Sequence, residues 1–228
     1  MAGPKQKIFE KSPGTEGKNI GQRRDMKKIV VTGADRGGKS MVIESVKKEF
    51  SGQVIIVPEV ATMLLSGGFP IPGKDIRWSP EWQAAFQKTV LFVQIQMEAV
   101  YELKASEEGA LLLICDRGKL DGAGFTPGGL PEFCQLYGVN AQDVLASYEA
   151  VYHLESTAVG DPEDYERDRN ANNAVRFRSC EEAAELDHAI RAAWQTHASW
   201  NFLSCVGGLE GKKLAVCHAI RWMIAEGR

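Results

Sequence analysis

The stretch Gly33-Ala34-Asp35-Arg36-Gly37-Gly38-Lys39-Ser40 follows a short β-branched run and precedes a helical pattern. This order constrains the fold more than any other feature of the chain. The pattern G-x-x-x-x-G-K-[ST] needs glycine because the backbone must wrap closely enough to aim its N–H groups at phosphate oxygens. Lys39 is expected to reach the β- and γ-phosphates and Ser40 to ligate Mg²⁺. The helix that starts here adds its positive N-terminal dipole, which extends the expected nucleotide-contacting set, Gly33 to Ser40, to Met41. Asp35 and Arg36 are unusual inside such a loop. Asp35 brings a negative charge towards phosphates, which opposes affinity.

The rest of the chain alternates strands and helices. Lys28–Thr32, Val54–Val57, Leu111–Cys115, Ala150–Leu154 and Trp200–Cys205 read as strands, largely apolar on both faces as buried parallel strands are. Ser40–Phe50 and the stretches near 181–195 and 210–226 carry helical spacing. Ser79-Pro80 caps a long helix, with Ser at the N-cap and Pro at the first helical position. Trp82, Phe86, Val90, Val93, Met97 and Val100 form its expected core-facing stripe. The expectation is an α/β, three-layer fold. Its five-stranded parallel sheet would run in the order 2-3-1-4-5, with helices on both faces and an arginine-bearing lid.

At 228 residues the chain suits one such domain, here 27–228, behind a tail over 1–26 with a net charge of +3 that reads as a flexible leader. The overall charge of −3 gives no reason to expect a nucleic-acid or membrane partner. Five cysteines, an odd number without a C-x-x-C pair, suggest reduced thiols and a cytoplasmic home. The four histidines are scattered. No apolar run approaches the roughly 18 residues of a membrane span, and the N-terminus lacks a signal-peptide core.

Ligands of open α/β sheets bind at the carboxyl ends of the strands. The third strand ends in Asp116-Arg117-Gly118, where Asp116 is either a magnesium-holding acid or a solvated cap. Arg117 either clamps substrate or pairs with Asp116. The second strand ends at Glu59, which is either a base for an attacking hydroxyl or a glutamate favoured at a helix start. The polar stretch 165–178 holds four arginines and is long for a connection. As a lid it would place Arg176 and Arg178 over a transferring phosphoryl group; as a solvated loop it would do nothing.

Val57-Pro58-Glu59, Phe86-Gln87, Cys115-Asp116-Arg117-Gly118 with Leu120-Asp121, Asn173-x-x-Arg176, Trp194, His197 and Lys213 follow the phosphate loop in one order. Together they resemble the nucleoside and nucleotide kinase branch of P-loop proteins. They resemble most the small AAA-type ATPase domains related to the ribosylnicotinamide kinase domain of NadR. The resemblance implies ATP and Mg²⁺ as cofactors, Glu59 as base and Arg117 at the acceptor end. Trp82, Gln87 and Asp121 would then lie in an acceptor pocket. Asp-Arg-Gly stands where deoxynucleoside kinases carry Glu-Arg-Ser, so the acceptor is not named. One function fits as a kinase for a small nucleoside- or nucleotide-like acceptor, the other as a regulatory ATPase or GTPase switch. No Asn-Lys-x-Asp motif for guanine is present, and the sequence leaves a homodimer open.

Overall fold

A computed structural model of the chain describes residues 26–171 and 178–226. Among them, β1 (Lys27–Thr32), β2 (Val54–Val57), β3 (Leu112–Asp116), β4 (Ala150–Leu154) and β5 (Trp200–Leu203) form one sheet. All pairings are parallel and the order is β2-β3-β1-β4-β5, as expected. The helices are α1 (Lys39–Glu49), α2 (Val60–Ser66), α3 (Pro80–Glu108), α4 (Gly129–Tyr137) and α5 (Ala141–Ala146). They continue with α6 (Thr157–Gly160), α7 (Pro162–Ala171), α8 (Cys180–Trp194) and α9 (Gly208–Glu226). The sheet order and its helical layers are those of a P-loop NTPase fold. The tail, apart from Met26, lies outside the described residues, as does Arg176. No helix among the described residues is long and apolar enough to cross a membrane.

Alternate residues of β1 feed opposite cores, because successive side chains of a strand point to opposite faces. Ile29 and Val31 pack with Val42, Ile43 and Val46 of α1 and with Val216 and Ile220 of α9. Val30 packs on the other face with Leu113, Cys115, Leu91 of α3, and Ile190 and Trp194 of α8. Parallel register sets Val31 of β1 beside Asp116 and Thr32 beside His153 of β4. The phosphate loop therefore leaves the sheet between the ends of β3 and β4.

Three local expectations are corrected. β3 runs one residue further than its apolar core, so Asp116 is its last residue, while β5 stops at Leu203 and Cys205 opens a 3₁₀ turn. Tyr165–Ala171, expected as loop, is helical within α7, whose start carries Pro162 and the acids Glu163 and Asp164 that favour a helix N-terminus. The largest difference lies in α3, which begins as expected, with Ser79 Oγ accepting from the Trp82 N–H. Its buried line is Phe86, Gln87, Leu91, Gln94, Glu98 and Ala105, and Val100 is 58 % exposed. The turn towards Glu98 has a cause. Lys28 and Lys119 lie 3.0 and 3.2 Å from its carboxylate, and the Tyr148 hydroxyl donates to it across 2.6 Å. Buried cations need a buried anion, and Glu98 supplies it.

Candidate active site

The phosphate loop is shaped by the end of β4. Gly33 and Gly38 adopt φ of 130° and 88°, where a side chain is strained. A Cβ on Gly37 would stand 2.5 Å from the Leu154 carbonyl oxygen, too close for any residue but glycine. The Ala34 N–H donates to Asp187 Oδ1 at 3.0 Å, and Asp187 Oδ2 lies 3.0 Å from His153 Nε2. Ser156 Oγ donates to the Asp35 carbonyl at 2.5 Å, and Lys212 Nζ donates to those of Glu155 and Gly37 at 2.5 and 3.2 Å. Sequence reasoning missed these supports. The legible signal was an acid, Asp187, on the apolar face of a helix, and a histidine inside an otherwise apolar strand.

Lys39 Nζ donates to the Gly33 and Ala34 carbonyls at 2.8 and 2.7 Å. Burial and then the Arg117 charge pull its pKa down to about 8, against Glu59, Asp116 and Asp35. Ser40 lies exposed in the first turn of α1. The Asp116 carboxyl, half-buried, has no hydrogen-bond partner among the described residues; burial first and then Glu59 push its pKa up to about 6. An acid short of partners and a hydroxyl at the helix start are hard oxygen donors that suit Mg²⁺. That ion takes few protein ligands beside water and phosphate. No cluster of three metal-ligating His, Cys, Asp or Glu occurs among the described residues.

Arg117 pairs with Glu59 rather than Asp116. Its Nε donates to Glu59 Oε1 at 2.5 Å, and its Nη1 to the Gly33 carbonyl at 3.0 Å. It holds φ of 71°, a left-handed conformation unfavourable for a non-glycine residue. Arg36, at φ 58°, is the other such residue among those described, so both strained arginines sit in this crevice. Burial pushes the Glu59 carboxyl up, but Arg117 and the Thr62 hydroxyl, which donates at 2.6 Å, outweigh it and hold it below its usual range.

Asp121, expected at the acceptor, is instead buried and engaged by the protein. One oxygen accepts from Thr32 Oγ1 and Arg117 Nη1, the other from the Gly118 N–H at 2.8 Å and Trp194 Nε1 at 3.2 Å. It braces the β1 and β3 ends. Trp82 stacks on Phe86 with ring centroids 4.9 Å apart and donates its Nε1–H to Pro70. Gln87 is buried, its side chain without a hydrogen-bond partner among the described residues. It faces a small cleft with Gln94, Gly118, Lys119, Gly122 and Phe133.

The loop's own charges face the entrance to α8. Arg178 Nη1 lies 2.8 Å from Asp35 Oδ2, with its guanidinium 5.4 Å from the Phe125 ring centre. Arg36 Nη2 lies 3.0 Å from Asp164 Oδ2 of α7. A surface groove of about 310 Å³ between Phe50 and Ile224 opens at the far end of the sheet, away from these groups. The AAA domain family model matches residues 28–204, and no curated protein matches the chain.

Proposed function

Because this chain belongs to the AAA domain family, we propose that it binds ATP and transfers the γ-phosphoryl group to a small nucleoside- or nucleotide-like acceptor. The motifs shared with ribosylnicotinamide kinase-like domains support that branch. Lys39 and Arg178 supply positive charge where the triphosphate would lie, and the glycine loop aims backbone N–H groups at it. Ser40 and Asp116 would hold Mg²⁺, which would supply positive charge to offset that of the phosphates. Glu59, kept ionised by Arg117, accepts the proton as the acceptor hydroxyl oxygen bonds to the γ-phosphorus and the bond from that phosphorus to the β–γ bridging oxygen breaks, releasing ADP. Arg117, anchored on Gly33, orients the acceptor oxygen.

The observation that carries this reading is Gln87. Its amide makes no hydrogen bond to the protein among the described residues and lines a cleft bounded by Gly118, the residue after Arg117, so its donor and acceptor are left for whatever enters there. A nucleotide hydrolase needs no such second recognition group beside its phosphate loop. The test is ATP turnover by the purified chain with and without nucleosides, nucleotides and ribosylnicotinamide. Turnover that no acceptor accelerates, with no phosphorylated product, rejects the proposal. A regulatory switch is the second reading, and the Asp35–Arg178 contact favours it, since it ties the loop to an element that could report nucleotide state.

A further inference from the structure

α3 is apolar on its outside. While its buried line carries Gln87, Gln94 and Glu98, the opposite face carries Phe92 at 51 % exposure, Ile95 at 37 %, Val100 at 58 % and Leu103 at 52 %, with exposed Ala99 among them. Phe92, Ile95, Ala99 and Leu103 recur at intervals of three and four, one face of a helix, and the stripe is about 16 Å long at 1.5 Å per residue. Scattered exposed hydrophobics are ordinary, but a continuous stripe opposite a polar buried face marks a surface that something covers. A charge stands one turn beyond each end of the stripe, Lys88 before Phe92 and Glu107 after Leu103. Both are exposed, and neither has an ion-pair partner among the described residues.

We propose that this face is a self-association surface, on which α3 of a second copy packs antiparallel. A stripe with an apolar middle and opposite charges at its two ends is complementary to its own reverse. A two-fold axis through the midpoint between Met97 and Glu98 sets Phe92 opposite Leu103 of the partner subunit. The same axis sets Gln96 opposite Ala99 of the partner subunit, where the small side chain lets the helices approach. Lys88 then lies level with Glu107 of the partner subunit, and the symmetry repeats that pair at the other end. A parallel arrangement would set Lys88 against Lys88 and Glu107 against Glu107, so the charge pattern selects the antiparallel, isologous copy. A pairing confined to one helix covers less than the ~800 Å² per partner of a standard interface. The dimer therefore dissociates on dilution.

The test is sedimentation velocity of the full chain over roughly a hundredfold range of concentration around the micromolar. A reversible monomer–dimer equilibrium is expected. Phe92→Glu weakens it by about tenfold or more. Lys88→Glu and Glu107→Lys each weaken it, and the two together restore it, while circular dichroism shows each variant folded. Both charge positions are exposed, so these variants do not depend on a core substitution. A monomer at every concentration overturns the proposal, including the case where the stripe binds some other protein. Association indifferent to Phe92→Glu, or charge reversals that fail to rescue each other, overturns it equally.

Discussion

Arg178, at the entrance to α8, and Asp35, inside the phosphate loop, form an ion pair at 2.8 Å. The one acidic side chain of the loop thus faces a cation carried by another element. An incoming phosphate competes with Asp35 for that cation, so the acid opposes binding in two ways, by its own charge and by occupying Arg178.

Replacing Asp35 by Asn should accordingly tighten ATP-analogue binding by about three- to tenfold, as expected for one partly exposed pair worth about 1 kcal/mol. Titration calorimetry measures it. Weaker binding would mean that the pair orders the loop instead.

Lys39→Ala should abolish nucleotide binding under either functional reading. A thermal melt separates this from misfolding. ATP analogue with Mg²⁺ raises the Tm of the wild-type chain by mass action but leaves the Tm of the folded variant where it was.

Glu59→Gln keeps the shape of the side chain but removes its proton-accepting charge. Phosphoryl transfer to the acceptor should fall by about 10²-fold or more, with ATP affinity unchanged. Single-turnover transfer is the measurement, and an unchanged rate would remove Glu59 from the chemistry.

Asp187 gives a pH signature. Burial pushes its carboxyl up, but His153 and the Ala34 and Ser156 N–H groups outweigh that and hold it below the ordinary aspartate value of 3.8. A depressed carboxyl contributes stability above its unfolded pKa and loses it as pH falls through the lower folded value. Asp187→Asn should therefore cost about 2–3 kcal/mol near neutrality. The gap to wild type should close below about pH 4, as denaturant unfolding at a series of pH values would reveal.

The sheet was readable from sequence because its strands are mainly apolar runs, with Gly33, Glu59, Asp116 and Glu155 at or just past the ends of four of them, and the phosphate loop fixed which strand stands at its centre. β2 and β4 fall where the pattern put them. α3 was misread because periodicity counts only apolar residues. Val90, Val93, Met97 and Val100 drew the expected stripe to a flank that is half-buried or exposed, while Gln94 and Glu98 lower the apolar count on the buried side, where Lys28 and Lys119 need the Glu98 carboxylate. Asp121 illustrates the same limit. The resemblance placed it at the acceptor, but only the fold brings Thr32, Gly118 and Trp194 to its oxygens. Gln87 was singled out by the resemblance alone, since a glutamine beside an apolar stripe says nothing by itself of a missing partner.

The wall against which Gly33 and Gly37 press is the main-chain carbonyl of Leu154. Every amino acid has that carbonyl. The mould of the phosphate loop is thus indifferent to which side chain position 154 carries, within what the core admits, while the cast tolerates no side chain at all. Over evolutionary drift, position 154 should wander among apolar residues and positions 33 and 37 should stay fixed. The asymmetry belongs to the backbone, and no inventory of side-chain contacts would show it.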